Sequence, residues 1–156
     1  MDEITESSMR YGLYINTNKT KFMIISKEDI TGVHININQI RIERVHKYQY
    51  LGTVINEQWD NAEEIKCRIG KARDVFNSMS ASFKSHDLSL HLKIRLLRCY
   101  VFSTLLYGAK TWTLTKATSN KLDAFELWLY RRILRISWTE KITNIEVLRR
   151  MGKEKQ

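Results

Sequence analysis

The stretch YQYLGTVINEQWDNAEEIKCRIG, residues 48–70, changes its pattern halfway along. Its first part, YQYLGTVI (48–55), is dense in β-formers. After Trp59 the signals become helical. Asp60 or Asn61 is placed to cap a helix, and Glu63 and Glu64 suit the positive end of its dipole. Ile65, Ile69, Ala72, Phe76, Met79 and Phe83 then recur at gaps of four and three, one face of a helix over 60–84. Gly52 is the anomaly in the strand part. A glycine within a strand loosens it, and marks either a bulge or a point where another backbone or a ligand comes close.

Upstream, ITESSMRYG reads as the end of a helix with Gly12 as its C-terminal cap. The runs LYIN, KFMIIS, GVHININ and QIRIERV follow, each short and β-rich. Ile35, Ile37, Ile40 and Ile42 alternate around Asn38-Gln39, the pattern of a hairpin whose loop lacks the usual glycine. NTNKT and KEDITG supply further turns.

Downstream, a second helix begins near Ser89 and closes at Gly108, with a wide apolar arc that includes Leu90, Ile94, Leu97, Val101 and Leu105. A third begins around Ser119 and carries Leu122, Phe125, Leu129, Ile133 and Ile136 on one side. Thr143 with Glu146 forms a capping box for a short last helix that ends at Gly152. No proline interrupts any of these segments. The expected fold is α+β: a small antiparallel β portion over residues 1–59, then an α-helical bundle over 60–156.

Composition bounds the function. The 156 residues suffice for one compact domain or two small ones, and 43% hydrophobic with 28% charged residues reads as soluble and globular. No apolar run reaches the roughly 20 residues of a spanning helix, so no membrane role is expected. The acidic, polar start MDEITESSMR does not look like a secretory signal. Cys67 and Cys99 stand apart, which argues for neither a disulfide framework nor a zinc site and fits a reducing intracellular location, cytoplasmic or nuclear. The net charge of +9 is segregated: residues 1–60 carry seven basic and eight acidic side chains, residues 61–156 nineteen and nine. A basic half of this kind is the footprint of a polyanion binder, nucleic acid or anionic membrane.

Catalytic signals are sparse. His34, His46, His86 and His91 have no carboxylate or cysteine partner at a fixed spacing. The serines and threonines lack a nucleophile elbow, and the six glycines form no phosphate loop. Trp112, Trp128 and Trp138 suit either base stacking or, more commonly in a small bundle, core packing.

Four blocks carry a resemblance: GLYINTNKTKFMIIS (12–26), YQYLGTVI (48–55), LLYGAKTWTL (105–114) and RRILRISWTEKITNIEVLRRMG (131–152). In this order they resemble the reverse transcriptases of non-LTR, LINE-like retrotransposons. The resemblance implies that residues 1–59 are the end of the polymerase palm and residues 60–156 the thumb and the segment after it. YQYLG is then similar to a primer-grip hairpin, in which Tyr50 and Leu51 wedge and orient the primer and Gly52 is small so that sugar-phosphate can approach. INTNKTK resembles the block that bears a lysine near the triphosphate leaving group. Lys19 matches it and would donate a proton and a positive field there; the plainer alternative is a solvated turn lysine.

One departure bears on activity. The family holds two magnesium ions about 4 Å apart on clustered aspartates. This sequence has no adjacent aspartate pair, and its acids fall in an N-terminal helix (Asp2, Glu3, Glu6), a loop (Glu28, Asp29) and helix starts. The resemblance therefore implies a polymerase fragment that keeps template-primer binding elements, lacks the catalytic carboxylates and is inactive alone. No cofactor or metal is expected in it, although the full-length polymerase would use Mg2+. Its partners would be an RNA or DNA template-primer duplex and the parent polymerase's palm and fingers, with self-association through exposed sheet edges. The alternatives are a stand-alone nucleic-acid-binding module and a non-functional helical or interaction fragment.

Two basic patches mark where a duplex would lie. On a helical wheel Lys66, Arg73 and Lys84 fall roughly 80–100° from the centre of the apolar face, with Gly70, Asn77 and Ser80 on or beside the same line. Small residues between charges let a sugar-phosphate backbone come close. On the third helix, Arg131 and Arg135 lie beside Trp128, opposite the buried stripe.

Overall fold

The computed structural model describes residues 2–153 except 27, 29 and 31, and leaves out the side chains of Asp2 and Trp138. The turn expected across KEDITG thus lies partly outside the described residues, as does the Trp138 ring. The chain is α+β and divides into two compact units, Met1–Asn61 and Ala62–Gln156.

The first unit opens with helix α1 (Asp2–Arg10). Gly12 ends it as expected. At φ 72° it lets its own N–H reach the Met9 carbonyl and the Leu13 N–H reach the Ser8 carbonyl, two bonds of 3.0 Å that form a Schellman cap. The β part differs from a single antiparallel sheet. Among the described residues it shows three two-stranded ladders: β1 (Lys21–Phe22) with β4 (Glu43–Arg44), parallel; β2 (Asn36–Ile37) with β3 (Ile40–Arg41), antiparallel; and β5 (Lys47–Tyr50) with β6 (Thr53–Asn56), antiparallel.

The run LYIN is not a strand, because Asn16 diverts it. The Asn16 carbonyl accepts from the backbone N–H of Lys19 and Thr20 and from the Thr20 hydroxyl, at 2.9–3.1 Å, closing a turn where the strand was expected to begin a ladder. KFMIIS pairs over Lys21–Phe22 and is irregular after that. The hairpin at Asn38-Gln39 forms without a glycine. Both loop residues take positive φ, 49° and 65°, as a type I′ turn demands, and Ile37 pairs with Ile40 across it.

In the second unit, the helix expected over 60–84 is two: α2 (Ala62–Ser78) and α3 (Ser80–Lys84). The break is at Met79 (φ −95°, ψ 12°), within SMSAS, where the Ser78 hydroxyl donates to the Val75 carbonyl at 2.8 Å and competes with the helix ladder. Phe76 and Phe83 stack across the break with centroids 4.6 Å apart. Ser89 caps the second helix through its side chain, and Gly108 closes it at φ 78°.

That second helix is not α throughout. It runs as α4 (Leu90–Leu96), a π segment (Leu97–Phe102) and α5 (Ser103–Leu105). Lys93, Leu97, Val101 and Leu105 are all buried at a spacing of four. On an α-helix such a row drifts about 40° per step. The wider π turn, with its i→i+5 bonds, takes up part of that drift and keeps the row facing the core. Lys93 satisfies its amine on the Ser85 carbonyl at 2.6 Å.

The third helix, α6 (Lys116–Leu134), starts three residues earlier than expected from Ser119. Thr115 and Thr118 cap it reciprocally, a Thr-x-x-Thr version of the capping box. Its buried side is the expected one, with Phe125, Leu129 and Ile133 inside. α7 (Asn144–Arg150) has Thr143 as its cap, while the Glu146 carboxylate binds Arg149 and Arg150 rather than closing a box. α6 packs on α2, α3 and α7 around one apolar cluster, where each fully buried Leu, Val or Phe contributes about 1.5–3 kcal/mol.

Candidate nucleic-acid interface

In the first unit the candidate residues lie at a hairpin tip. Tyr50 pairs with Thr53, so Leu51 and Gly52 are the two loop residues between β5 and β6, and the ladder has no bulge there. Both have positive φ, 49° and 84°, the signature of a type I′ turn. Gly52 is thus explained by the turn itself, before any ligand is invoked. Leu51 is the unusual choice: a leucine in the left-handed region costs roughly 1–2 kcal/mol, and here it is 76% exposed. Tyr48 and Tyr50 are exposed next to it, which makes the tip apolar. Lys19 sits in the exposed turn that Asn16 holds, its N–H bonded to the Asn16 carbonyl and Oδ1. At the base of the hairpin, Glu57 accepts from His46 (2.8 Å) and Arg44 (2.9 and 3.2 Å), and these bonds hold its carboxyl below the usual range.

In the second unit, Lys66, Gly70, Arg73 and Lys84 are all exposed, as the helical wheel requires. A Cβ built on Gly70 would meet nothing within 4 Å. No packing inside the chain needs this glycine, and it leaves a flat, open spot on α2. Arg73 leans across to α6, with Cζ 5.3 Å from the Trp128 ring centroid and 6.0 Å from that of Phe125. Trp128 is half-buried, stacked on Phe125 and edge-on to Phe76. It closes the core on one side and borders an open groove on the other.

This groove has a volume of about 970 Å³ and brings the two sequence patches together. It is lined by Lys84 from the first patch and by Trp128, Arg131 and Arg135 from the second. The side chains divide the work differently from the sequence expectation. Arg131 turns its guanidinium to the Ile142 carbonyl (2.6 Å) and Asn144 Oδ1 (3.0 Å), pinning the α6–α7 loop. Arg132, which the sequence reading passed over, lies over Trp128 at 5.0 Å. It stands four residues after Trp128 and shares its helix face, a spacing that would have found it. Lys141 also lines the groove from the loop, where no helical pattern points to it. Arg135 ends α6 in the left-handed region (φ 57°), at the cap position glycine usually fills, and bonds to His86.

Several carboxylates of the second unit have partners of their own. Glu64 pairs with Arg68 at 2.7 Å, both buried. Burial opposes ionisation of Glu126, but hydrogen bonds from Lys153 and Tyr130 outweigh it and keep the carboxyl below its ordinary range. Burial and the bond to Glu126 push the Tyr130 hydroxyl upward. Arg149 and then Arg150 bring Glu146 down to about 2. Glu140 accepts from the Ser137 N–H at 2.7 Å. Lys84, Arg132 and Lys141 pair with no carboxylate among the described residues. The groove is a cluster of cations around an aromatic floor, open to an anion from outside.

Among the described residues no three His, Cys, Asp or Glu side chains gather as a metal site. No described helix is long and apolar enough to cross a membrane.

The chain is 28% identical over 143 residues to a transposon-derived protein of Caenorhabditis elegans, covering 90% of this chain and 51% of that protein. It is 23% identical over 150 residues to the RNA-directed DNA polymerase from mobile element jockey of Drosophila funebris, covering 94% of this chain and 16% of the polymerase. The chain therefore spans about half the length of the first relative and a smaller part of the second. No family model and no solved structure matches it. The two similarities, which run along nearly all of this chain, support its origin in a LINE-like retrotransposon.

Proposed function

We propose that this chain is the palm terminus and thumb of a retrotransposon reverse transcriptase, and that it grips a template-primer duplex without carrying out polymerisation itself. The observation that carries this reading is the groove of the second unit, where Lys84, Arg132, Arg135 and Lys141 converge and no acidic residue is among the described lining residues. Cations arranged in this way recognise phosphate rather than sequence. Exposed Lys66 and the bare surface at Gly70 extend the phosphate track along α2. The apolar hairpin tip of Tyr50, Leu51 and Gly52 would press on the primer. Exposed Tyr11, Leu13, Tyr14 and Trp59 in the first unit suit contact with the remaining palm and fingers, or with a second copy. Among the described residues no carboxylate cluster is found for Lys19, which would act only beside one supplied by the rest of the polymerase.

The test has two arms. The purified chain should bind a primer-template duplex with affinity that falls steeply with salt, and should not extend the primer with magnesium or manganese. Absence of duplex binding at low salt overturns the grip. Primer extension that survives purification and is lost in Lys19→Ala overturns the inactivity.

A further inference from the structure

We propose that the groove between α3, α6 and the α6–α7 loop holds an unpaired stretch of nucleic acid, one base on its apolar floor and the flanking phosphates on its cationic rim. The inference rests on the nucleic-acid reading above and makes it more specific. The floor is Trp128, Ile136 and Ile142, all partly exposed. A duplex offers a surface groove only sugar and phosphate, which leaves such a floor without an apolar partner. An unpaired strand offers both a backbone and free base faces, and proteins that bind it combine a positive track with aromatic and apolar platforms. At about 970 Å³ the groove has the size of a small-molecule pocket, within the usual range of about 300–1,000 Å³. That is room for a splayed base with its sugar and phosphates, whereas a duplex can set only its backbone against the cationic rim and leaves the floor unused.

The walls are set before any ligand arrives. Arg131 fixes the loop through Ile142 and Asn144, so the Ile142 side of the floor is held in place. Arg132 is kept against Trp128. Arg135 holds a strained backbone conformation at the groove edge and is tied to His86.

The experiment compares labelled oligonucleotides of about a dozen nucleotides, a length suited to one groove, by fluorescence anisotropy at matched salt. The probes are a mixed-sequence single strand, the same strand with abasic sites throughout, a blunt duplex, and anionic phospholipid vesicles. The base-bearing strand is expected to bind at least about tenfold more tightly than the abasic strand, which has the same charge. The double variant Arg132→Ala/Lys141→Ala, altered only at exposed side chains, should weaken binding of the base-bearing and abasic strands alike, by at least about tenfold, because both present the same phosphates to the cationic rim. Equal binding of the abasic and base-bearing strands overturns the proposal, as does a double variant that binds the base-bearing strand as tightly as the parent. In either case duplex binding by the same protein leaves the broader reading standing. Binding to no oligonucleotide overturns both, and vesicle binding without oligonucleotide binding replaces them with an anionic membrane surface. Because the strand comparison changes the ligand and not the protein, it needs no variant to fold.

Discussion

Arg73 of α2 lays its guanidinium over the indole of Trp128 on α6, with Cζ 5.3 Å from the ring centroid. The contact joins two helices whose basic patches look independent in the sequence. It also fixes where the Arg73 charge sits, at the border between the α2 stripe and the groove. A cation over an indole contributes about 0.5–1 kcal/mol at an exposed site, so Arg73 carries stability as well as charge. Among the described residues Lys66 and Lys84 have no comparable anchor, and they are the cleaner probes of binding.

Changing Lys66 and Lys84 together to alanine should therefore weaken duplex binding equally for all sequences and lower the salt slope by about 2. Titrations over several salt concentrations give the slope. An unchanged slope with the fold intact removes both Lys66 of α2 and Lys84 of α3 from the interface.

Two substitutions should separate stability from binding. Gly70→Ala places a methyl group in open space and should stabilise α2 by up to about 1 kcal/mol. Arg135→Gly relieves a left-handed arginine and should stabilise the α6 cap by a similar amount, about 1 kcal/mol. Both should weaken nucleic-acid binding, the first by blocking close approach and the second by removing a cation. Denaturant unfolding and anisotropy on the same samples decide it. Gains in stability with undiminished binding would show that neither position meets nucleic acid.

At the hairpin tip, Leu51→Asn supplies a residue that tolerates positive φ and should stabilise the β5–β6 turn by about 1 kcal/mol. Gly52→Ala should destabilise it by at least about 1 kcal/mol. Amide exchange across Lys47–Asn56 reads both. If the apolar tip presses on the primer, Leu51→Asn also lowers affinity for a primer terminus, and unchanged affinity would refute that contact.

Acid should loosen the last helix. Glu146 has its pKa lowered from 4.5 to about 2 by Arg149 and Arg150. Its contribution to α7 is complete above pH 4.5 and is lost as pH falls from 4.5 toward 2. NMR titration of the Glu146 carboxyl should give the low midpoint, and Glu146→Gln should remove this part of the acid sensitivity of α7. A midpoint near 4.5 would mean that the arginines leave the carboxylate in solution.

The helical unit was readable because its apolar residues recur on one face: Phe125, Leu129 and Ile133 are inside as their spacing requires. Its local interruptions were harder to read. The serines around Met79 break a helix whose apolar period runs straight through them, and Thr118 caps where glutamate or glutamine would have been the signal. In the β unit, β5 is exposed along its whole length, so no buried face imposes the alternation by which strands are recognised. Type I′ turns at Asn38-Gln39 and Leu51-Gly52 rest on backbone angles that Gln39 and Leu51 do not advertise. In the candidate groove, Trp128 and Arg135 followed from spacing. The different duties of Arg131 and Arg132 follow from a loop that folds back eleven residues later, a tertiary fact that helical periodicity does not carry.

The π segment of the second helix also affects how related chains are to be aligned. A π turn accommodates more residues than an α turn, so the stretch Leu97–Phe102 acts as a slack link between two helical faces. A relative that has lost one residue here can close the turn to ordinary α geometry while Lys93 and Leu105 keep facing inward. A one-residue gap at this point in a comparison of sequences would therefore be structurally silent, whereas the same gap in the middle of α6 would turn Phe125 and Ile133 out of register with each other.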